Sequence, residues 1–281
     1  MSNSSSIEIS KKRKPKWLRV KLPTGENYKQ VRSLVDDYKL HTICESGHCP
    51  NMGECWGAGT ATFMILGNTC TRSCGFCNVA TGRPLPVDWD EPDRVGRSIK
   101  LMKVKHAVIT SVDRDDLSDG GSIIWAETIN AIRRISPGTT METLIPDFRG
   151  IENQMDRILE AAPEVISHNM ETVRRLTRQV RIQAQYDRSL GVLKYLKDNG
   201  AHRTKSGIML GLGEEVDEVR QSLHDLREAN VDVVTLGQYL QPTSNHLPVN
   251  NFVEPDVFNQ LEEEALKLGF IHVESGPLVR S

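Results

Sequence analysis

A chain of 281 residues with 35 basic and 37 acidic side chains has a formal net charge of −2, which gives no general attraction to nucleic acid or an anionic membrane. No apolar run approaches the roughly 20 residues that span a bilayer, and the N-terminus lacks the apolar core of a secretory signal. We therefore expect a soluble, cytoplasmic protein with one large α/β domain or two ordinary ones.

Three segments follow one another along the chain. Residues 1–16 are Ser-rich and then basic, which predicts a mobile, solvated tail. Residues 17–58 contain cysteines among Gly, Pro and Asn with little periodicity, and we interpret them as an extension held together by a metal group. Residues 59–281 form the predicted main domain.

In the main domain, short apolar strands alternate with amphipathic helices, which is typical of βα units around a parallel sheet. The predicted strands are 61–67, 106–112, 140–145, 165–168, 206–210 and 231–238. Two helical faces are expected in the core, namely Ile151, Met155, Ile158 and Leu159, then Val216, Val219, Leu223 and Leu226. Gly200 is predicted to end one helix and Asp119 to begin another. Six units predict a partial (βα)6-type TIM barrel, open on one side.

Polar and glycine-containing segments follow these strands. Because strands of a βα barrel end on one face, these segments are expected to share the face where catalytic groups lie. They are residues 70–77, 113–116, Asn169 with Glu171, 211–214 and 238–241. The sequence thus predicts a single polar site.

All six cysteines lie in the N-terminal third as two triplets, Cys44, Cys49 and Cys55, then Cys70, Cys74 and Cys77. In a site of four ligands, a triplet leaves one position free for something else. Disulfides are disfavoured in a chain of this length without a secretory signal. Structural zinc is the alternative, although only Cys74 and Cys77 have the C-x2-C spacing of a zinc knuckle.

The second triplet, C-T-R-S-C-G-F-C after the first strand, resembles the signature of radical S-adenosylmethionine (SAM) enzymes. The resemblance implies that Cys70, Cys74 and Cys77 hold a [4Fe–4S] cluster whose fourth iron binds SAM, and Phe76 is typical of the motif. In that superfamily the cluster donates an electron, and SAM cleaves to methionine and a 5′-deoxyadenosyl radical. A cluster that touches its substrate needs one unligated iron, which three cysteines leave.

Other segments resemble SAM-binding elements of that superfamily. Asn169 and Glu171 in H-N-M-E-T resemble the polar pair that binds the SAM ribose, with a helix-capping loop as the alternative. Gly211 in I-M-L-G-L-G-E resembles the glycine-containing strand near the adenine, or an ordinary strand–helix turn. Thr110 and Ser111 stand where related enzymes hold the SAM ammonium group, although the usual glycine–glycine–glutamate pattern is absent.

The first triplet, in C-E-S-G-H-C-P-N-M-G-E-C-W, resembles the auxiliary-cluster motif of lipoyl synthases. The likeness continues through T-S-V-D-R-D-D-L-S-D-G-G, S-H-N-M-E-T and S-G-P-L-V-R-S. It implies a second [4Fe–4S] cluster held by Cys44, Cys49, Cys55 and, from a C-terminal segment that returns to it, Ser281. Family members commonly continue past this serine, where the present sequence ends. A serine ligand is harder and weaker than thiolate, which suits a cluster that is dismantled in turnover.

The resemblance implies sulfur insertion at C6 and then C8 of an octanoyl group on a lipoyl carrier domain, with two SAM per turnover. A saturated C–H bond offers a base no acidic proton, so radical chemistry is needed. The auxiliary cluster is the implied sulfur donor. Implied partners are 2-oxoacid dehydrogenase acyltransferase subunits, the glycine cleavage H protein, a donor such as flavodoxin or ferredoxin, and an iron–sulfur carrier protein, with no nucleic acid and no membrane.

Two other functions are weighed against this one. A biotin synthase-like enzyme is disfavoured because that family uses a different auxiliary cluster and ligand set. A non-catalytic zinc or iron–sulfur protein would bind metal without cleaving SAM. Further polar groups are interpreted as structural: His41, His48, His106 and His168 as surface or packing residues, 113–116 as a salt-bridged loop, and Arg174, Arg175, Arg178 and Arg181 as a solvated helix face rather than a docking site for an acidic carrier domain.

Overall fold

The structure is a computed structural model that describes residues 14–19, 29, 32–33, 41–42, 51–52 and 62–280. Five residues singled out above lie outside this set, namely Cys44, His48, Cys49, Cys55 and Ser281. Their proposed roles stay predictions. No helix in the described part of the chain is long and apolar enough to cross a membrane.

An eight-stranded sheet organises the described chain, in the order β1-β2-β5-β6-β7-β8-β9-β10. Its strands are β1 His41–Thr42, β2 Thr62–Ile65, β5 His106–Ser111, β6 Thr140–Leu144, β7 Val165–Ser167, β8 Thr204–Leu210, β9 Val233–Gln238 and β10 His272–Gly276. In this sheet, every neighbouring pair from β2 through β5 to β10 is parallel, and only the pair of β1 and β2 is antiparallel. A separate pair, β3 Thr69–Cys70 and β4 Ala80–Thr81, follows β2.

Helices connect the parallel strands in turn. They are α1 Glu91–Leu101, α2 Ser122–Ile135, α3 Glu152–Ala161, α4 Thr177–Val180, α5 Tyr186–Asp198, α6 Val216–Glu228 and α7 Pro255–Lys267. Their apolar faces pack against the strands, so that Ile132 and Leu223, for example, are fully buried. Burial of this kind, at about 25 cal/mol per Å2, holds the helices on the sheet.

The six predicted strands are confirmed, and no strand end differs from its predicted position by more than two residues. A helix follows each of them, so the partial barrel is confirmed as well. The sequence analysis missed the seventh parallel strand, β10. This strand ends the sheet and buries only Val273 among its five residues, so its apolar signal is weak.

Helix boundaries bring one correction. Ile151 and Val216 are 41% and 38% exposed, so the prediction that they belong to the core was wrong. Ile151 has extended backbone before α3, and Val216 is the first residue of α6, where the helix surface has not yet turned to the sheet. The helix predicted to begin at Asp119 begins three residues later, at Ser122, but Asp119 Oδ2 does accept from Ile123 N in its first turn at 3.0 Å. Gly200, with φ +100°, follows the end of α5 as predicted.

Candidate active site

A cavity of about 1370 Å3 is lined by inward-facing strand residues and by the loops at the carboxyl ends of the strands. Among the residues predicted for the site, those that line it are Cys70, Cys74, Phe76, Cys77, Thr110, Ser111, Asn169 and Glu171. Asp113 and residues 238–241 line it too. The predicted shared face is thus confirmed for these segments, whereas Gly211 does not line the cavity.

The cysteine loop, residues 70–77, follows β2 and lies at the cavity edge. Thr71 N donates to Asp113 O at 3.1 Å, which joins the loop to the end of β5. Gly75 N donates to Val180 O at 2.9 Å, and Gly75 O accepts from Leu247 N at 2.9 Å. The loop is therefore bonded to three different parts of the barrel. Its three cysteines are free thiols.

The thiols are largely buried and lie near the negative charge of Asp113. Burial raises the pKa of Cys70 to about 11 and that of Cys74 to about 12, and it raises the pKa of Cys77. Asp113 adds to the effect at all three. Stable thiolates here require a cationic group, and iron–sulfur clusters supply one.

Cys70 has further partners that suit a bound sulfur. Its Sγ accepts from Arg72 N at 3.4 Å and from Asp113 N at 3.3 Å. Hydrogen bonds to sulfur are one of the ways in which proteins set cluster potentials. Over the described residues, no three His, Cys, Asp or Glu side chains are arranged for a single metal ion. The donor chemistry of the cysteine loop fits a cluster.

Arg72, inside the cysteine loop, is the centre of a buried ion-pair network that the sequence analysis missed. Its side chain is 5% exposed and bonds Asp115 through Nε at 2.7 Å and Nη2 at 2.8 Å. Nη2 also donates to Asp147 Oδ1 at 2.8 Å, and Nη1 lies 3.3 Å from Asp113 Oδ1. The planar guanidinium suits such multidentate pairing.

The network extends away from the cavity. Asp147 is fully buried and also pairs with Arg188 Nε at 2.8 Å, while Arg149 Nε bonds Asp115 at 3.1 Å. Although burial opposes ionisation, the Arg72 guanidinium holds the pKa of Asp147 below its usual range. Arg114 pairs with Asp116 at 2.9 Å, so the prediction of a salt-bridged loop at 113–116 is confirmed.

Asn169 and Glu171 form a polar wall after β7. Asn169 Nδ2 donates to Glu171 Oε1 at 3.0 Å, and burial raises the pKa of Glu171. Glu171 has φ +64°, in the left-handed region, while its backbone bonds Gly207 O and Met209 N, both at 2.9 Å. A left-handed residue held by a neighbouring strand points to a function that fixes its side chain.

Gly207 leaves room for the side chain of Asn169. A Cβ on Gly207 would lie 2.9 Å from both Asn169 Oδ1 and Thr235 Oγ1. Gly211, with φ +103°, instead leaves room for Gln238 and the Asn251 carbonyl. The positive φ and close neighbours of Gly211 fit the strand–helix turn, which was one of the two alternatives for this residue.

Thr110 and Ser111 end β5 at the cavity wall. Thr110 Oγ1 donates to Leu144 O at 3.2 Å, and Ser111 Oγ accepts from Trp125 Nε1 at 3.2 Å. Both hydroxyl groups are thus fixed by neighbouring elements, and Ser111 retains its own proton for a further acceptor.

Arg181 was wrongly placed on a solvated face. Arg174 and Arg175 are each 55% exposed and pair with Asp187 and Glu218, whereas Arg181 is 7% exposed and lines the cavity. Arg181 follows α4, and its backbone forms an isolated antiparallel β-bridge with that of Cys74. This segment therefore turns inward.

A chain of hydrogen bonds leads from Arg181 to His168. Arg181 Nη1 donates to Ser189 Oγ at 3.3 Å, and His168 Nε2 lies 3.0 Å from the same oxygen. Since His168 Nδ1 faces Ile145 O at 2.9 Å, that nitrogen carries the proton and Nε2 accepts from the serine. His168 is a packing residue, as predicted. His106 bonds Thr140 Oγ1 at 2.8 Å.

The loop after β9 reaches across to the cysteine loop. His246 Nε2 lies 3.0 Å from Cys77 O, and its Nδ1 is 2.8 Å from Thr243 Oγ1. Because a carbonyl only accepts, Nε2 is the donor to Cys77. Sequence spacing gave no sign of this contact, since 169 positions separate the two residues.

The C-terminal arm, residues 277–280, also lines the cavity. Asn51 Nδ2 donates to Leu278 O at 2.7 Å. Asn51 lies between Cys49 and Cys55, and Leu278 lies three positions before Ser281. The hydrogen bond thus joins the two segments from which the resemblance draws the auxiliary ligands.

Comparisons with known proteins agree with this geometry. A family model described as the Radical SAM superfamily matches residues 64–237, and one described as the N-terminal domain of lipoyl synthase matches residues 2–49. A lipoyl synthase of Flavobacterium johnsoniae is 72% identical over 95% of this chain and 93% of its own length. A mitochondrial lipoyl synthase of Nematostella vectensis is 72% identical over 95% of this chain and 92% of its own length.

Solved structures share the architecture at low identity. Methylornithine synthase (PylB) matches with a TM-score of 0.57 at 15% identity, covering 90% of this chain and 78% of that one. HydG, a maturase of the [FeFe]-hydrogenase, matches with a TM-score of 0.58 at 13% identity, covering 89% and 68%. At these identities the likeness concerns the fold alone.

Proposed function

We propose residue roles for this chain from the premise that it belongs to the lipoyl synthase family of radical SAM enzymes. The chain is accordingly a sulfur-inserting enzyme that uses SAM and two [4Fe–4S] clusters to form the lipoyl group at C6 and C8 of a protein-bound octanoyl chain. The roles below extend this activity to individual side chains. In this proposal the chain is divided as predicted, into a tail of residues 1–16, an extension of residues 17–58 and a main domain of residues 59–281.

Cys70, Cys74 and Cys77 hold the SAM-cleaving cluster in this proposal. The backbone N–H groups of Arg72 and Asp113 stabilise negative charge on Cys70 sulfur, which the pKa-raising burial otherwise disfavours. When bound, the two clusters and SAM supply the radical and the sulfur that an unactivated C–H bond requires.

The polar wall orients the adenosine part of SAM in this proposal. Asn169 and Glu171 offer an amide and a carboxylate toward the cavity, and hydroxyl-rich ligands such as a ribose pair with those groups. Thr110 and Ser111 stand nearby as hydroxyl partners for the SAM amino group. Phe76 packs at the edge of the same cavity. We assign no direct contact to Gly211, whose missing side chain leaves room for Gln238 and the Asn251 carbonyl.

Cys44, Cys49, Cys55 and Ser281 hold the auxiliary cluster in this proposal. The observation that carries it is the Asn51–Leu278 hydrogen bond of 2.7 Å beside the cavity that the cysteine loop also lines. The reacting alkyl carbon would have to lie near both the SAM bound at one cluster and the sulfur of the other, and one shared cavity meets that need.

The partners follow from the activity. The octanoyl group is carried by a lipoyl domain, and we propose the acyltransferase subunits of 2-oxoacid dehydrogenases and the glycine cleavage H protein. A flavodoxin or ferredoxin supplies electrons, and an iron–sulfur carrier protein renews the consumed cluster. We propose that the reaction takes place in the cytoplasm, where cysteines stay reduced and available as cluster ligands.

The proposal is tested by measuring iron, sulfide and zinc per chain after anaerobic reconstitution. The parent should bind about eight irons, and replacing either cysteine triplet by alanine should leave about four. Each triplet variant is the control for the other, and only the Cys44/Cys49/Cys55 variant should still cleave SAM. Zinc in place of iron, or one cluster shared by both triplets, would contradict the assignment.

A further inference from the structure

The C-terminal arm depends on a glycine in a neighbouring strand. Gly237 is the fifth residue of β9 and pairs with Met209 on one side and Gly276 on the other. A Cβ on Gly237 would lie 2.3 Å from Val279 O and 3.2 Å from the carbonyl carbon. Ordinary C···O contacts are about 3.3 Å, so any side chain here displaces the arm by about 1 Å.

Gly276 provides a contrast in the adjacent strand. It is the register partner of Gly237, yet a Cβ on it would be 3.5 Å from Val279 Cγ2, an ordinary contact with a side-chain methyl group. The arm therefore needs glycine at position 237 and tolerates a methyl group at 276. The two positions form a matched pair.

The arm has a second attachment at Asn51. Its Nδ2–Leu278 O bond of 2.7 Å spans 227 positions of sequence. Val279 N also donates to Gly276 O at 3.1 Å, which turns the chain directly after β10. These contacts fix the backbone up to Arg280, one residue before Ser281.

We propose that Gly237 and Asn51 are positioning residues that deliver Ser281 to the auxiliary cluster. Gly237 gives the arm room to pass β9, and Asn51 sets the arm against the segment of the first triplet. The inference rests on the proposed function, because it takes Ser281 as a ligand. A weak alkoxide ligand tolerates misplacement of only about 0.5 Å, which is less than the displacement a methyl group at 237 would cause.

The test uses a chain in which Cys70, Cys74 and Cys77 are replaced by alanine, so that only the auxiliary cluster binds. Gly237→Ala, Gly276→Ala and Ser281→Ala are made in this background. Iron per chain and the rate of iron loss to a chelator are measured. We expect Gly237→Ala to lose iron about ten times faster than the background chain, as Ser281→Ala does, and Gly276→Ala to match the background chain.

Asn51 is tested in the same way. Asn51→Asp replaces the donor by a carboxylate that repels the Leu278 carbonyl, and we expect faster iron loss. Asn51→Gln keeps an amide on a longer stem and is expected to retain part of the protection. Equal rates for both variants and the background chain would overturn the role of Asn51.

Folding and the proposed function are checked separately. In the chain with all six cysteines, Gly237→Ala should still bind the cluster at Cys70, Cys74 and Cys77 and cleave SAM, which shows an intact barrel. Equal iron loss in Gly237→Ala and Gly276→Ala would overturn the inference, and so would rapid loss in Gly237→Ala with Ser281→Ala unchanged. If the background chain binds no cluster at all, the proposed function fails instead.

Discussion

The cysteine loop and the C-terminal arm lie on the same cavity but are held in different ways. Thr71 and Arg72 bond the cysteine loop to segments that follow β5 and β6, Gly75 bonds it to α4 and to the loop after β9, and Arg72 alone contacts three carboxylates. The contacts of the arm include a hydrogen bond from the Asn51 amide, a turn after β10 and close packing over Gly237. The cysteine loop is thus supported by a buried ion-pair network, whereas these arm contacts are uncharged.

Under the proposed roles, this difference matches the fates of the two clusters. The cysteine loop would serve a cluster that must survive each turnover, and its supporting charges are buried and mutually paired. The arm would serve the cluster that gives up its sulfur.

The largest effect is expected from Asp147, which supports the cysteine loop. Asp147→Ala removes the fully buried carboxylate that pairs with both Arg72 and Arg188, and it should lower the free energy of unfolding by about 3–5 kcal/mol. It should also reduce the iron bound by Cys70, Cys74 and Cys77, but not the iron bound by the first triplet.

Urea unfolding and iron content measure these effects. Asp147→Asn is the matched control, since its amide oxygen still accepts from Arg72 and from Arg149 N. Equal iron loss from both clusters in Asp147→Ala would show that the loop and the arm are not separately supported.

A pH dependence is expected next, from His168 behind the cysteine loop. Burial lowers the pKa of His168 to about 4, against about 6.5 in an unfolded chain. Between these values the unfolded chain binds the proton and the folded chain does not, so stability falls as pH falls. The complete loss is about 3 kcal/mol and is absent above pH ~6.5.

Urea unfolding of the metal-free chain at pH 7 and pH 5 measures the His168 contribution. His168→Gln should weaken the acid-dependent loss of stability, whereas His202→Gln, at an exposed position, should leave it unchanged. The same pH slope in both variants would mean that His168 titrates freely and does not support the loop.

The smallest effect is expected from His246, which reaches the cysteine loop from β9. His246→Ala removes the donor to Cys77 O and should cost about 1 kcal/mol. With the first triplet replaced by alanine, iron loss from the remaining cluster should become a few times faster. His246→Gln places an amide near the same position and should restore most of the protection. A glutamine variant as labile as alanine would show that the contact is not needed.

Local patterns in the sequence were enough to predict most of the fold. The six strands and their helices were predicted from apolar periodicity, which depends on neighbours a few residues apart. The cysteine loop was placed correctly because chain order alone puts it after β2. Strand β10 was missed because an edge strand with one buried residue has little periodicity to detect.

The supporting residues of the site had no such signal. Arg72 meets Asp115 and Asp147, which are 43 and 75 positions away, only because parallel strands end side by side. Arg181 appeared to continue a solvated basic face, but α4 ends before it and the backbone turns inward. The turn of the backbone after α4 therefore decides that Arg181 is buried while Arg174 and Arg175 are exposed.

The sequence by itself determined the six strands and the face on which they end, because residue type and periodicity are local properties, and it predicted the ligand types. Only the tertiary structure decided that Gly237 must lack a side chain and that Asn51 meets Leu278. Both depend on the approach of segments far apart in sequence, within a fraction of an ångström, and close packing sets such distances.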